Sequence, residues 1–178
     1  MMKLIILDRD GVINEDSDDF IKSPDEWLPI EGSLAAIAKL TQAGYKVVVA
    51  TNQSGVARDL FDMDILNSIH SKMIRLVADA GGVIDAVFFC PHSEQQNCEC
   101  RKPKAGMLEQ IAKRFHVELA GVPAVGDSLR DLQAAASVGA RPLLVRTGKG
   151  LRTLAAMPEE MKDVPVYDDL AAVVAELI

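Results

Sequence analysis

The chain has 178 residues, enough to bury a proper core and short enough to expect one domain spanning residues 1–178. Hydrophobic residues make up 49% of it, yet no apolar stretch approaches the roughly 20 residues needed to cross a bilayer, so no membrane association is expected. A formal charge of −7 leaves no basic surplus to neutralise phosphates, which argues against nucleic acid as a partner.

The first apolar run, Leu4-Ile5-Ile6-Leu7, predicts a strand over Lys3–Asp8. Met-Met-Lys-Leu leads straight into it, so the start does not read as a cleaved signal, and a cytoplasmic location is expected. Leu34, Ile37, Ala38 and Leu40 recur at helical spacing, with Gly44 as the stop. Strand-like Tyr45–Thr51 follows, then a longer helix marked by Ile65, Ile69, Met73, Leu76 and Val77. Ala86–Cys90 is the third strand, and Leu108, Ile111, Ala112 and Phe115 mark the next helix. Pro123–Gly126, a helix through Leu132, Ala135 and Ala136, and the strands Pro142–Arg146 and Val164–Tyr167 complete the alternation. Leu170, Val173, Val174 and Leu177 close the chain as a helix. Strand–helix alternation of this kind implies right-handed crossovers and an α/β fold: a doubly wound parallel sheet covered on both faces.

Chemistry gathers at the strand ends. Asp8-Arg9-Asp10-Gly11 follows the first strand, and two carboxylates there are costly unless a cation or a reaction uses them. Strand alternation lets positions 8 and 10 point into one cleft, and Gly11 permits a sharp turn beside it. A lone D-x-D is commonly a solvated turn. Thr51-Asn52, Arg101-Lys102 and Gly126-Asp127 decide against that, adding a hydroxyl, an ammonium and a third carboxylate, mostly where open α/β sheets place their ligand crevice. Alone, Thr51 would pass for a β-branched strand residue and Lys102 for a solvated loop lysine. Ser128 and Asp131 read as a capping pair before Leu132.

All three cysteines fall between positions 90 and 100. Cys90, His92, Cys98 and Cys100 form C-x-H-x5-C-x-C, the ligand set of a closed tetrahedral zinc site. A disulfide would leave one thiol unpaired, and a cytosolic chain disfavours bridges. Four protein ligands leave no open position, so the expected Zn²⁺ is structural and fixes the loop before Arg101 and Lys102.

Asp8, Thr51, Lys102 and Asp127, in that order, resemble the four motifs of the haloacid dehalogenase (HAD) superfamily of phosphohydrolases, and the resemblance covers nearly the whole chain. It implies a Rossmann-like fold, with Asp8 as the nucleophile that forms an aspartyl-phosphate and Asp10 as acid and base. It also implies Mg²⁺ on the carboxylates of Asp8 and Asp127 and the main-chain carbonyl of Asp10. Crowded oxygen ligands suit that ion. Thr51 and Lys102 would hold the phosphoryl group, with Asn52, Gln53 and Ser54 beside them. The intervals between Asp10 and Thr51, and from there to Lys102, leave no room for a cap domain. The loops Asn14–Pro29 and Cys90–Cys100 should then choose the substrate.

Within the superfamily, a small capless chain with this zinc loop resembles two branches. These are the heptose 1,7-bisphosphate phosphatases of bacterial lipopolysaccharide biosynthesis and the histidinol-phosphate phosphatases. Thr51-Asn52-Gln53-Ser54-Gly55-Val56-Ala57-Arg58, Cys100–Met107 and Val145–Gly150 look like the heptose branch. That implies a phosphorylated sugar as the small-molecule partner, attacked at its C7 phosphate by a monomeric enzyme, with Arg101 meeting the second phosphate. Arg58, Arg146 and Lys149 read singly as solvated charges. Two departures stand out: Ser128 where the superfamily often has lysine, and Asp18-Asp19 where the heptose branch has Gly-Tyr. The acidic run Glu15–Asp19 would suit cationic histidinol phosphate, which keeps that branch as the alternative. A phospho-receiver signalling module also places Asp, Thr and Lys around Mg²⁺, but its reactive Asp follows a middle strand and it needs no zinc loop.

Overall fold

Alternate residues of the first strand face opposite ways, and each face meets its own layer of helices. In the computed structural model, which describes residues 1–178, Ile5 and Leu7 of β1 (Lys3–Leu7) and Val47 and Val49 of β2 (Tyr45–Asn52) share one buried cluster. Side chains of α1 (Ser33–Gln42), α2 (Met63–Asp79) and α6 (Leu170–Leu177) pack into it. Leu4, Ile6, Val48 and Ala50 face the other way, onto α3 (Gly106–Phe115) and α4 (Leu129–Ser137). Each fully buried Ile or Leu contributes roughly 1.5–3 kcal/mol, so both faces hold the strand ends firmly.

With β3 (Ala86–Cys90), β4 (Pro123–Gly126), β5 (Arg141–Val145) and β6 (Val166–Tyr167), the sheet runs β3-β2-β1-β4-β5-β6 with every pair parallel. The winding direction reverses between β1 and β4, which opens a crevice at their carboxyl ends. Leu7 pairs with Val125, and the Asp8 amide donates to the Val125 carbonyl at 2.9 Å. The residues after the two strands, Asp8 and Asp127, are thereby brought to one crevice.

All six expected strands are present, with β5 shifted by one residue and β6 cut to two. One helix, α5 (Gly150–Ala155), was not foreseen, because Leu151 and Leu154 are exposed and give it no apolar stripe. Between Asp10 and Thr51 lie only a loop with one 3-10 turn at Pro24–Glu26, α1 and the body of β2, and no cap is inserted there or before Lys102. The Asn14–Pro29 segment is an anchored wall. Ile21 and Trp27 are buried in the first cluster, and Lys72 Nζ of α2 donates to the carbonyls of Pro24 at 2.7 Å and Trp27 at 2.8 Å. No helix is long and apolar enough to cross a membrane.

Candidate active site

Lys102 is the hub of the crevice. Its buried ammonium has three hydrogens and three acceptors: Asp8 Oδ1 at 3.2 Å, Asp131 Oδ1 at 2.6 Å and the Ala50 carbonyl at 2.7 Å. Burial alone would favour the neutral amine, but Asp131 and Asp8 overturn that and hold its pKa above the usual lysine value. Asp8 sits in the opposite balance. Burial and the charge of Asp131 push its carboxyl well above the ordinary range, and Lys102 only partly offsets them. Asp8 Oδ1 takes Lys102 and its neighbour's amide, Arg9 N, at 2.9 Å, whereas Oδ2 receives no hydrogen bond from the protein. That free oxygen suits a nucleophile.

Carboxylate oxygens of Asp8, Asp127 and Asp131 lie within 4.8 Å of one another. Asp131 is already committed: Oδ1 pairs with Lys102, and Oδ2 accepts from Asp127 N, Ser128 N and Ser128 Oγ at 2.9–3.2 Å. The foreseen capping pair is therefore real, but Asp131 also grips the lysine, which its S-x-x-D pattern did not reveal. Asp8 and Asp127 are left to share a cation. Burial and Asp131 push Asp127 up to about 7, and Asp8 and Asp127 each keep one carboxylate oxygen free of protein hydrogen bonds. That donor set fits Mg²⁺.

Asp127 is positioned by a segment that sequence reasoning treated only as a resemblance. The Lys149 amide donates to Asp127 Oδ2 at 2.9 Å, Thr153 Oγ1 to the Asp127 carbonyl at 2.7 Å, and Thr147 Oγ1 to the Gly11 carbonyl at 2.6 Å. Gly11 and Gly148 both have positive φ, and a Cβ on either would strike Asp127 Oδ2. Lys149 is not a free surface charge: it lines the cleft and pairs with Asp16 at 3.3 Å. Arg146 does behave as a surface charge, pairing with Asp168 at 2.6 Å.

Asp10 Oδ1 accepts from Arg9 Nε and Asn14 Nδ2, both at 2.9 Å, while Arg9 Nη2 lies 2.8 Å away but off the hydrogen-bond axis. Gln53 Nε2 donates to Oδ2 at 3.0 Å. Burial raises the Asp10 pKa, but Arg9 and these hydrogen bonds more than offset it, so the carboxyl ends below its ordinary value. Thr51 and Ser54 line the cleft as expected. Asn52 and Gln53 line it too, with amides turned to neighbours. Asn52 clasps the Lys102 backbone from both ends at 3.0 and 3.1 Å, and Gln53 joins Asp10 to Thr51 Oγ1 at 2.9 Å. Arg101 lines the cleft together with Arg130, a residue the sequence did not single out. Only two of the eighteen lining residues are apolar, so the cleft is shaped for a charged ligand.

Beside Arg101, the ligand atoms of Cys90, His92, Cys98 and Cys100 lie within 4.8 Å of one another. Sγ of Cys90 and Cys100 stand 3.5 and 3.6 Å from Cys98 Sγ, and His92 Nδ1 is 3.4–3.5 Å from the Cys90 and Cys100 sulfurs. A tetrahedron with Zn–S near 2.3 Å has S–S edges of about 3.8 Å. Two sulfur pairs approach that, while Cys90 and Cys100 stand closer, at 2.7 Å, so the four ligands are gathered for a zinc ion that would part this pair on entering. Burial pushes the Cys90 and Cys100 thiols up. Burial acts on Cys98 in the same direction, but the Arg101 amide and the neighbouring ligands draw it down to about 6. A soft, partly ionised donor set fits the metal.

A HAD-hydrolase-like family model matches residues 99–173, and a polynucleotide kinase 3 phosphatase model matches residues 3–128. Fold and site together therefore define a HAD-type phosphohydrolase. The chain is 62% identical to the D-glycero-beta-D-manno-heptose-1,7-bisphosphate 7-phosphatase of Bordetella bronchiseptica, across 99% of this chain and 98% of that protein. It is 57% identical to the Neisseria meningitidis enzyme of the same name, across 95% of this chain and 91% of that protein. The crystal structure of D,D-heptose 1,7-bisphosphate phosphatase from B. bronchiseptica, complexed with magnesium and phosphate, superposes with a TM-score of 0.95 at 62% identity over 99% of this chain and 98% of that one. The chain belongs to the D-glycero-beta-D-manno-heptose-1,7-bisphosphate 7-phosphatase family.

The raised Asp127 carboxyl yields a prediction. Between its ordinary value of 3.8 and about 7 the folded chain keeps a proton that the unfolded chain has lost, so this group's contribution to stability falls as pH rises through that window. Above it the ionised pair is free to take Mg²⁺. Added Mg²⁺ should therefore raise the thermal midpoint more at pH 8 than at pH 5, read by calorimetry at one fixed ionic strength.

Proposed function

We propose that this protein is a monomeric, cytoplasmic Mg²⁺-dependent phosphatase. Its substrate is D-glycero-D-manno-heptose 1,7-bisphosphate, from which it removes the C7 phosphate through an aspartyl-phosphate on Asp8. The observation that carries this is the unengaged Oδ2 of Asp8, set beside a triply bonded Lys102 and an Asp127 carboxylate with one oxygen free. Every residue of the site comes from one chain, so no second copy is needed to complete it. Thiolate ligands suit a reducing compartment.

Mg²⁺ would be held by the carboxylates of Asp8 and Asp127 and the main-chain carbonyl of Asp10. When bound it supplies positive charge that offsets the crowded carboxylates and polarises the phosphoryl oxygens. Lys102 and Thr51 orient the phosphoryl group toward Asp8. Asp10 starts ionised; the arriving dianion raises its proton affinity, and the carboxylate takes up a proton from water as the substrate binds. As Asp8 Oδ2 bonds to phosphorus and the P–O bond to C7 breaks, Asp10 Oδ2 gives its proton to the departing oxygen. Water then attacks the phosphorus of the aspartyl-phosphate while Asp10 takes a proton from that water, and the P–O bond to Asp8 breaks to release inorganic phosphate and the free carboxylate. Arg101 receives the second phosphate at the rim. A primary phosphate on a flexible carbon reaches down to Asp8 more readily than one attached to the ring.

The acidic loop no longer argues for histidinol phosphate. Asp16 is neutralised by Lys149 at 3.3 Å and Asp18 faces Arg152 at 3.5 Å. Phosphate release from both heptose bisphosphate anomers and from histidinol phosphate, measured side by side, tests the choice. Faster and tighter turnover of histidinol phosphate would reverse it.

Asp8→Asn should abolish steady-state turnover, since an amide cannot attack phosphorus as a carboxylate does. Near-normal activity in metal-replete Asp8→Asn protein would exclude the covalent route.

Arg101→Ala should raise KM for the bisphosphate by about tenfold through loss of a charge-assisted contact, with a much smaller change for a sugar monophosphate. Equal changes on the two substrates would remove Arg101 from the second phosphate.

Freshly purified, unchelated protein should carry one equivalent of zinc by elemental analysis. Cys98→Ser should lower both zinc content and activity by loosening the loop that leads into Arg101 and Lys102. Zinc-free protein with full activity would leave the four ligands without this role.

A further inference from the structure

Arg9 is the least expected residue of the site: a guanidinium with 0% exposure, enclosed behind the cleft. Its Nε donates to Asp10 Oδ1 with Nη2 close by but off the hydrogen-bond axis, and its Nη1 lies 3.1 Å from His70 Nε2. Arginine has no lone pair to offer, so His70 Nε2 must be the acceptor and its proton sits on Nδ1. His70 belongs to α2, on the same buried stripe as Leu66, Ile69 and Met73. Its ring stands 6.0 Å from that of Phe89 in β3, and Phe89 is the register partner of Thr51. A histidine on an apolar stripe is ordinarily packing. This one turns its acceptor onto the buried cation of the D-R-D motif.

We propose that His70 is a positioning residue for the acid–base step: it holds the Arg9 fork, and through it Asp10 Oδ1, so that Oδ2 alone addresses the departing oxygen. This rests on Asp10 being the acid–base group. The guanidinium is planar, so an anchor at Nη1 fixes the directions of Nε and Nη2. Asn14 adds a second donor to the same oxygen at 2.9 Å, whereas Oδ2 carries only the neutral amide of Gln53. One oxygen is thus tethered and the other left for proton transfer. Without the His70 acceptor, Nη1 has buried hydrogens to satisfy, and the fork can rotate and carry the carboxylate with it.

The test is leaving-group dependence. A sugar alkoxide needs a proton as the P–O bond breaks; p-nitrophenolate leaves without one. The ratio kcat/KM extends only to release of the alcohol, so the later water attack does not enter it. His70→Leu should lower kcat/KM for the heptose bisphosphate by about tenfold or more, yet change that for p-nitrophenyl phosphate by no more than about threefold. His70→Gln, whose amide oxygen can accept from Nη1, should recover most of the loss. Asp10→Asn should show the same selectivity with a larger loss, of about 10²–10⁴-fold. Equal losses on both substrates in His70→Leu, no loss on either, or no recovery in His70→Gln would overturn the proposal. Should His70→Leu fail to fold, Arg9→Lys keeps the charge but not the fork, and equal losses on the two substrates there would overturn it as well. If Asp10→Asn itself loses both activities equally, the assignment of Asp10 fails instead.

Discussion

Carboxylates that repel one another at the reversal point of the sheet are the constraint on which the rest of this structure depends. Asp8, Asp127 and Asp131 bring oxygens within 4.8 Å in a largely buried crevice, and a single ammonium, Lys102, answers two of them. Removing one partner of such a buried pair typically costs about 3–5 kcal/mol, because a charge is left without compensation. The fold does not relieve the whole strain. Asp131 is fully bonded and sits low, while Asp8 and Asp127 are pushed upward and keep oxygens free. A site left one divalent cation short of balance is one that binds such a cation.

Holding Lys102 in place then becomes the task of its surroundings. The sheet supplies the Ala50 carbonyl, Asn52 clasps the lysine's own backbone, and the Cys90–Cys100 loop delivers it from the far side. That loop has no core: its residues other than Cys90 are half-buried or exposed. Three sulfurs and one imidazole gather there, and with a metal bound they would substitute for the missing core. On the other flank, Gly11 and Gly148 let two backbones close around Asp127, where any side chain would collide with its carboxylate.

What could be read from the chain follows a physical rule. Strands and helices buried on a clear stripe, such as Tyr45–Asn52 and Met63–Asp79, were legible because burial enforces periodicity. Helix α5 was not, since its leucines face solvent and its job is to present the Lys149 amide and Thr153 hydroxyl to Asp127. Main-chain donors leave no trace in composition. Asp8 stood out by type and place, whereas Lys102, alone a plain loop lysine, was legible only beside Asp8, Thr51 and Asp127. Asp131 hid its grip on Lys102 behind a capping pattern, and His70 hid behind the apolar stripe of its helix. Asn52 and Gln53 were recognised as cleft residues, yet nothing in their order told that both amides turn to neighbours.

Charge across the cleft is arranged, not merely summed. Six carboxylates and four cations line it, and several cancel locally: Lys102 with Asp131, Lys149 with Asp16. Asp10 is answered from behind by Arg9. The cations with no carboxylate partner are Arg101 and Arg130, next to the Cys90–Cys100 loop. The carboxylates with uncommitted oxygens are Asp8 and Asp127, at the sheet. One end of the cleft is therefore short of negative charge and the other short of positive charge. A ligand with two phosphates can answer both at once: one dianion at the arginines, the other entering the depth together with a divalent cation. A monophosphate answers only one. With no cap to close over a ligand, this separation of unpaired charge suits a molecule that carries two phosphates.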